Sequence, residues 1–423
     1  MFTAAHSART ALCRLLPCCL LIVLLSSPAW TQQSDAETIK LLLQRVQDLE
    51  GQVSTLRSQV EGLAAKDTAN SAGGVAPAET SAAQAGSEGD TLSSHLDHLG
   101  NAPRLQLRGY GDVGWSASNQ RGSTNSFALG QLNLFITSRL TDKISFLAET
   151  VIEADSETNE FGIEPERLEL IYGINERINL AFGRYHTGIG YYNTAYHHSA
   201  LMQTAIGRPF LFEFEDEGGI LPIHNVGISA TGTVSSGLGL HYIAEIGNGR
   251  SARTGSNPVQ NVTDDNNGKS FNLGFFVRPE HFHGLQFGFS GYHDHVTPTG
   301  QTGIGENIFA AHVVYQSTRF EFLNEALWLR HTLDHGGAIA NIPGFYSQIS
   351  RRMGNFRPYF RYEYVNVPAR DPLYSAVGLL HGPSAGVRYD LSEFAAFKIQ
   401  YGRNWRRNVA PVNTLATQLS FAF

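Results

Sequence analysis

The chain has 423 residues, 42% of them hydrophobic and 16% charged, with a formal net charge of −7. No apolar run reaches the ~18 residues that a membrane-spanning helix requires, which leaves spanning strands open because their signal per segment is much weaker. A mildly acidic balance is also a poor match for nucleic acid, which selects basic surfaces.

The first segment, 1–29, reads as a secretory signal peptide. Arg9 and Arg14 precede an apolar run from Leu15 to Leu25, and Ser27, Pro28 and Ala29 supply small residues where a signal peptidase cuts. Cys18 and Cys19 sit inside the apolar run rather than after it, which argues against a lipoprotein. Cys13, Cys18 and Cys19 all leave with this peptide, so the mature chain is expected to carry no thiol and no disulfide framework. Loss of two arginines and no acid takes the formal charge to −9.

Residues 36–64 predict a short coiled coil. Ile39, Leu42, Val46, Leu49, Val53, Leu56, Val60 and Leu63 alternate spacings of three and four, placing β-branched residues at each a position and Leu at each d. Gly51 and Gly62 would weaken a lone helix, so the seam implies partner copies. Residues 65–103 are rich in Ala, Gly, Ser and Thr without periodicity, the composition of a flexible linker.

From Arg104 to the end the texture changes to alternating strands separated by Gly-, Asn- and Asp-rich breaks. Sixteen strands are predicted, near 104–115, 127–140, 144–153, 167–174, 178–184, 224–233, 238–247, 270–278, 285–296, 307–316, 320–332, 345–351, 356–365, 381–390, 396–403 and 415–423. Their connections alternate in length. Short ones fall at 141–143, 175–177, 234–237, 279–284, 317–319, 352–355 and 391–395, and long ones include 116–126, 154–166, 185–223, 248–269, 366–380 and 404–414. Loops sorted by parity are the mark of a barrel crossing an outer membrane, with short periplasmic turns and long outer loops. Facing agrees. Leu105, Leu107, Val113 and Trp115 share one parity of the first strand, whereas Arg104, Gln106, Arg108, Tyr110 and Asp112 share the other. Lipid tolerates only apolar side chains and a closed ladder, and a wet lumen accepts charge. The fold class read here is therefore all-β: a 16-stranded antiparallel transmembrane β-barrel over 104–423, preceded by a periplasmic coiled-coil helix.

The last strand alternates without a break, with Leu415, Thr417, Leu419, Phe421 and Phe423 on one face. A closing strand that ends in Phe resembles the terminal strand of bacterial outer-membrane barrels, which implies that Phe423 serves as the signal read by the insertion machinery. The 39-residue connection 185–223 follows the fifth strand, as does the third outer loop of trimeric porins. The stretch 104–423 resembles porins, most closely the phosphate-selective O and P type, and the coiled-coil prefix resembles DcaP-type trimeric porins. This resemblance implies a homotrimer in the outer membrane, with a lipid-facing exterior and a lumen narrowed by 185–223.

Within that loop, Glu213, Glu215, Asp216 and Glu217 predict an acidic lip at the constriction. Arg104, Arg108, Arg357, Arg361, Arg388 and Lys398 have inward parity near the seam, and predict a basic wall opposite, so that a transverse field crosses the passage. Both features also have plain readings, as a solvated loop tip and as arginines that wet the lumen and snorkel at the rims. His197 with His198, His281 with His283, and His293 with His295 form pairs, but without Cys or a clustered third ligand no metal or cofactor is expected. No G-x-S-x-G elbow is present, so no enzyme and no catalytic residues are expected. The leading function is a passive channel for small hydrophilic or ionic solutes; the alternative is an envelope tether in which the barrel anchors the coiled coil.

Overall fold

The computed structural model of the chain describes residues 105–155, 160–196, 200–215, 217–235, 237–251, 259–260, 263–298 and 300–423. The expected signal peptide, coiled coil and linker, together with Arg104, lie outside the described residues. The first strands are β1 (Leu105–Ser118), β2 (Ser126–Arg139), β3 (Ile144–Asp155), β4 (Glu160–Asn175), β5 (Ile178–His186), β6 (His224–Ser235) and β7 (Leu240–Gly247). A small separate sheet, β8 (Arg250–Ser251) with β9 (Val259–Gln260), lies in the connection that follows. The chain continues through β10 (Ser270–Val277), β11 (Leu285–Val296), β12 (Ile304–Gln316), β13 (Phe320–Leu333), β14 (Ile339–Arg351), β15 (Phe356–Asn366), β16 (Leu379–Asp390), β17 (Ala395–Arg406) and β18 (Val412–Ala422).

Sixteen of these strands form one closed antiparallel barrel, each beside its neighbour in sequence, with β10 next to β7 and β18 closing on β1. At the closure the amide of Gly109 donates to the Phe423 carbonyl at 2.9 Å, and the Phe423 amide donates back at 3.0 Å. A Cβ added at Gly109 would fall within the Phe423 ring, and one at Gly111 would crowd the ring of Phe421. Two aromatic rings on the last strand thus cover two glycines on the first, covering bare backbone that lipid could not solvate.

Several strands run longer than the sequence predicts. β4 begins at Glu160 rather than near 167, and β14 at Ile339 rather than near 345. Each extension contains a proline that reads as a strand breaker. In the barrel Pro165 pairs with Thr150 beside a bulge, and Pro343 pairs with Trp328. The connections 156–159, 297–303 and 334–338 are correspondingly short, so the two length classes of loops are less separated than expected. The parity survives in 187–223, 248–269 and 367–378, set against turns such as 317–319 and 352–355. A peptide tag placed within 367–378 is expected to be reachable by antibody on intact cells, and one within 278–284 only after permeabilisation. Equal labelling of both would reverse or abolish the assigned sidedness.

Large apolar side chains stand exposed on the outer surface, from Leu105 and Leu107 on β1, through Phe287, Phe289, Phe309 and Trp328, to Leu415, Leu419 and Phe421 on β18. Charge is sparse among them, as a lipid-facing surface requires. The interior differs from the wet, polar wall expected. Ile304, Ile308, Val314, Leu323, Leu327, Leu329 and Ile342 are buried on the inner face of β12–β14, and they form one cluster with residues of the 187–223 loop. Apolar residues stand on both faces of these strands because one face meets the outer surroundings and the other meets a packed loop.

Candidate functional site

The loop 187–223 lies inside the barrel, because its own sequence carries a buried apolar stripe. Ile189, Tyr192, Tyr196, Leu211, Phe212, Phe214, Ile220, Leu221 and Ile223 are all at most 7% exposed. A single helical turn, α1 (Tyr192–Ala195), and a 3₁₀ turn at Phe210–Phe212 give the loop its only regular structure among the described residues. The rings of Tyr192 and Phe212 stack at 5.7 Å, and the Tyr346 ring of β14 stands edge-on to both.

Buried side chains of the wall satisfy the loop backbone. Glu325 accepts the amides of Tyr191 at 2.5 Å and Tyr192 at 2.8 Å, and the Tyr346 hydroxyl at 2.7 Å. Glu245 accepts the Gly188 amide, and Glu363 accepts that of Phe210. A carboxylate buried in this way is tolerated only because several donors converge on it.

Four of the six basic residues read from the sequence converge on this loop, but not on its acids. Arg361, 2% exposed, donates through both terminal nitrogens to the Gly207 carbonyl. Lys398, fully buried, donates to the Ala200 carbonyl at 2.5 Å and to Gln418 at 3.0 Å. Arg388 donates to the carbonyls of Leu201 and Gln203, and Arg357 to the hydroxyl of Thr204. All four cations therefore grip 200–207 and hold the loop, whereas Arg108 is exposed. Parity located these residues correctly on the inner face; it could not show that the loop would cover them.

The acidic segment also divides. Asp216 lies outside the described residues, and Glu217 is exposed. Glu215 is buried and accepts the amides of Ile223 at 2.6 Å and His224 at 3.2 Å. Burial alone would raise its pKa, but the hydrogen bond and charge of His224 hold it below the usual carboxylate range. Glu213 behaves oppositely: burial and the neighbouring Glu217 push its carboxyl well above the ordinary value, against the pull of Arg208. A raised carboxyl stabilises the docked loop fully at low pH and loses that contribution as pH rises through the raised value. Protease cleavage within 187–223 is expected to increase toward alkaline pH, and Glu213→Gln is expected to flatten that dependence. A wild-type profile that is already flat would exclude this role for Glu213.

Space remains on the opposite side of the lumen. A cavity of about 620 Å³ lined by Gln106, Thr137, Ser145, Ile171 and Asn179, among others, adjoins one of about 290 Å³ that shares Ile171 and Asn179. The second reaches Arg167, Glu169, Tyr185 and Glu245. Arg167 pairs with the buried Glu149 at 2.6 Å, and Gln131 donates to Glu153 at 3.0 Å. The inward face of β1–β7, not the arginines of β15 and β16, lines this space. Glu149 and Glu153 share the inward parity of β3, but the loop's choice of side depends on contacts far apart in the chain.

No protein-family model matches the chain, and no curated protein matches it. Among solved structures, the barrel is similar to the anion-selective porin from Comamonas acidovorans, with a TM-score of 0.56 at 14% identity over 76% of this chain and 100% of that one. It is similar to outer-membrane expressed OmpT of Vibrio cholerae, with a TM-score of 0.53 at 11% identity over 76% and 98%. The outer membrane channel DcaP of Acinetobacter baumannii matches with a TM-score of 0.52 at 9% identity over 76% and 98%. The chain shares the porin barrel fold.

Proposed function

We propose that this protein is an outer-membrane porin, an aqueous channel through which small hydrophilic or ionic solutes diffuse passively. The observation that carries this reading is a barrel of sixteen strands whose inserted loop is held by side chains of β13, β15 and β17 and leaves open space along β1–β7. A barrel serving only as an anchor has no need of an internal loop held by buried cations. The chain is exported through a cleaved signal peptide at 1–29 and inserted by machinery that reads the strand ending in Phe423. It assembles as a homotrimer, supported by the coiled-coil seam at 36–64 and by the barrel's likeness to OmpT of Vibrio cholerae, a protein solved in a trimer form.

The test is planar-bilayer recording on purified protein under a salt gradient. Stepwise conductance with a reproducible reversal potential is the expected result. Closed, insulating barrels in well-inserted protein would favour the envelope tether instead.

A further inference from the structure

At the root of the inserted loop, β4, β5 and β6 bring three metal-ligating side chains together. His186 is the last residue of β5 before the loop, and His224 is the first residue of β6 after it. The two are register partners, with ring centroids 4.7 Å apart. Glu166 comes from the bulge in β4, where the pairing steps from Glu149 with Arg167 to Thr150 with Pro165 and leaves Glu166 as the extra residue. Bulges re-aim a side chain in this way, and they are frequent beside functional sites.

One ligand atom from each of Glu166, His186 and His224 lies within 4.8 Å of the other two. The Glu166 carboxylate stands 2.7 Å from His224 Nε2. All three residues are at most 8% exposed. Glu215 approaches His224 Nδ1 at 3.6 Å while holding the backbone of Ile223 and His224. Phe214 stacks on the His224 ring at 5.7 Å. Arg184 Nη2 lies 3.8 Å from Glu166, and the Arg208 guanidinium lies 4.3 Å from the centre of the Phe214 ring. Glu166 and Glu215 thus flank the two imidazoles on β5 and β6 in a buried place.

We propose that Glu166, His186 and His224 bind a borderline divalent transition ion such as Zn²⁺, with Glu215 positioning His224. Two imidazoles and one carboxylate form the donor set that such an ion selects, with a fourth position left for water. Zinc bonds of about 2.0–2.1 Å require small side-chain adjustments from the spacing present. Entry is provided from the lumen, since His186 is among the residues lining the cavity of about 290 Å³. The bound ion would clasp both ends of the constriction loop, tying β5 to β6 where 187–223 departs and returns. The pairing was invisible to sequence spacing because His186 and His224 are separated by the whole loop. This proposal does not depend on the channel reading, because the ion is measured by binding.

The experiment uses untagged, folded, full-length protein in detergent, stripped with chelator and titrated with Zn²⁺ by calorimetry. Co²⁺ serves as a spectroscopic probe of low coordination number. One equivalent of Zn²⁺ per chain is expected, together with slower protease cleavage of 187–223 that chelator reverses. His186→Ala and His224→Ala should each abolish that equivalent, and Glu215→Gln should weaken it about tenfold or more. His186→Gln, which preserves size and polarity, should lose the ion while keeping the heat-modifiable gel mobility of a folded barrel. The double variant His281→Ala, His283→Ala should bind as wild type. No Zn²⁺ bound by wild type, an equivalent that persists in His186→Gln, or one lost with His281 and His283 would overturn the assignment.

Discussion

Replacing Arg361 and Lys398 together by Ala is expected to raise single-channel conductance several-fold and to admit larger solutes. Both cations are buried beneath the loop, and they donate to the carbonyls of Gly207 and Ala200. A hydrogen bond to a charged group contributes a net of about 1.5–3 kcal/mol. Removing two such groups therefore costs the docked loop an amount comparable with the opening free energy of many functional loops. Neighbouring contacts from Arg388 and Arg357 remain, so release should be partial and should appear first as current noise. A transverse-field role for the same residues leads elsewhere: conductance would hardly change, and the reversal potential would move toward cations. That second outcome, with an unaltered size limit for solutes, would put the cations in open water and reject their role as loop clamps.

Phe212→Ala is expected to undock the loop from the other direction, by emptying its apolar face. Phe212 is 1% exposed and packs against both Tyr192 and Tyr346. Truncating a fully buried Phe costs about 3–5 kcal/mol through lost transfer energy and the cavity left behind. Little of this should reach the barrel itself, whose ladder is closed without the loop. Hydrogen exchange separates the two. Amides of 187–223 such as Tyr191 and Tyr192 should lose protection, and those of β10–β17 should keep it. Unchanged loop exchange would show that the polar clamps alone hold the loop; loss throughout the barrel would show that the wall needs the loop to form.

Period-2 alternation and the parity of loop lengths were enough to specify a sixteen-stranded antiparallel barrel, because each strand pairs with its neighbour in sequence. Facing was legible for the same reason, and alternation alone places Arg357, Arg361, Arg388 and Lys398 on the inner wall. Proline obscured the starts of β4 and β14, since local rules treat as a break what a bulge and a ladder position can absorb. The decisive part of the site was not legible. Whether an arginine faces water or a loop carbonyl depends on where a 37-residue segment lies against strands more than a hundred residues away, as the contacts of Glu325 with Tyr191 and of Lys398 with Ala200 show. Glu213 and Glu215 sit two residues apart in one acidic run, yet burial beside Glu217 raises the pKa of one and His224 lowers that of the other. Sequence determines which face a side chain takes, because strand geometry is local. Tertiary packing decides what that face meets, because burial and charge pairing depend on parts of the chain that only the closed barrel brings together.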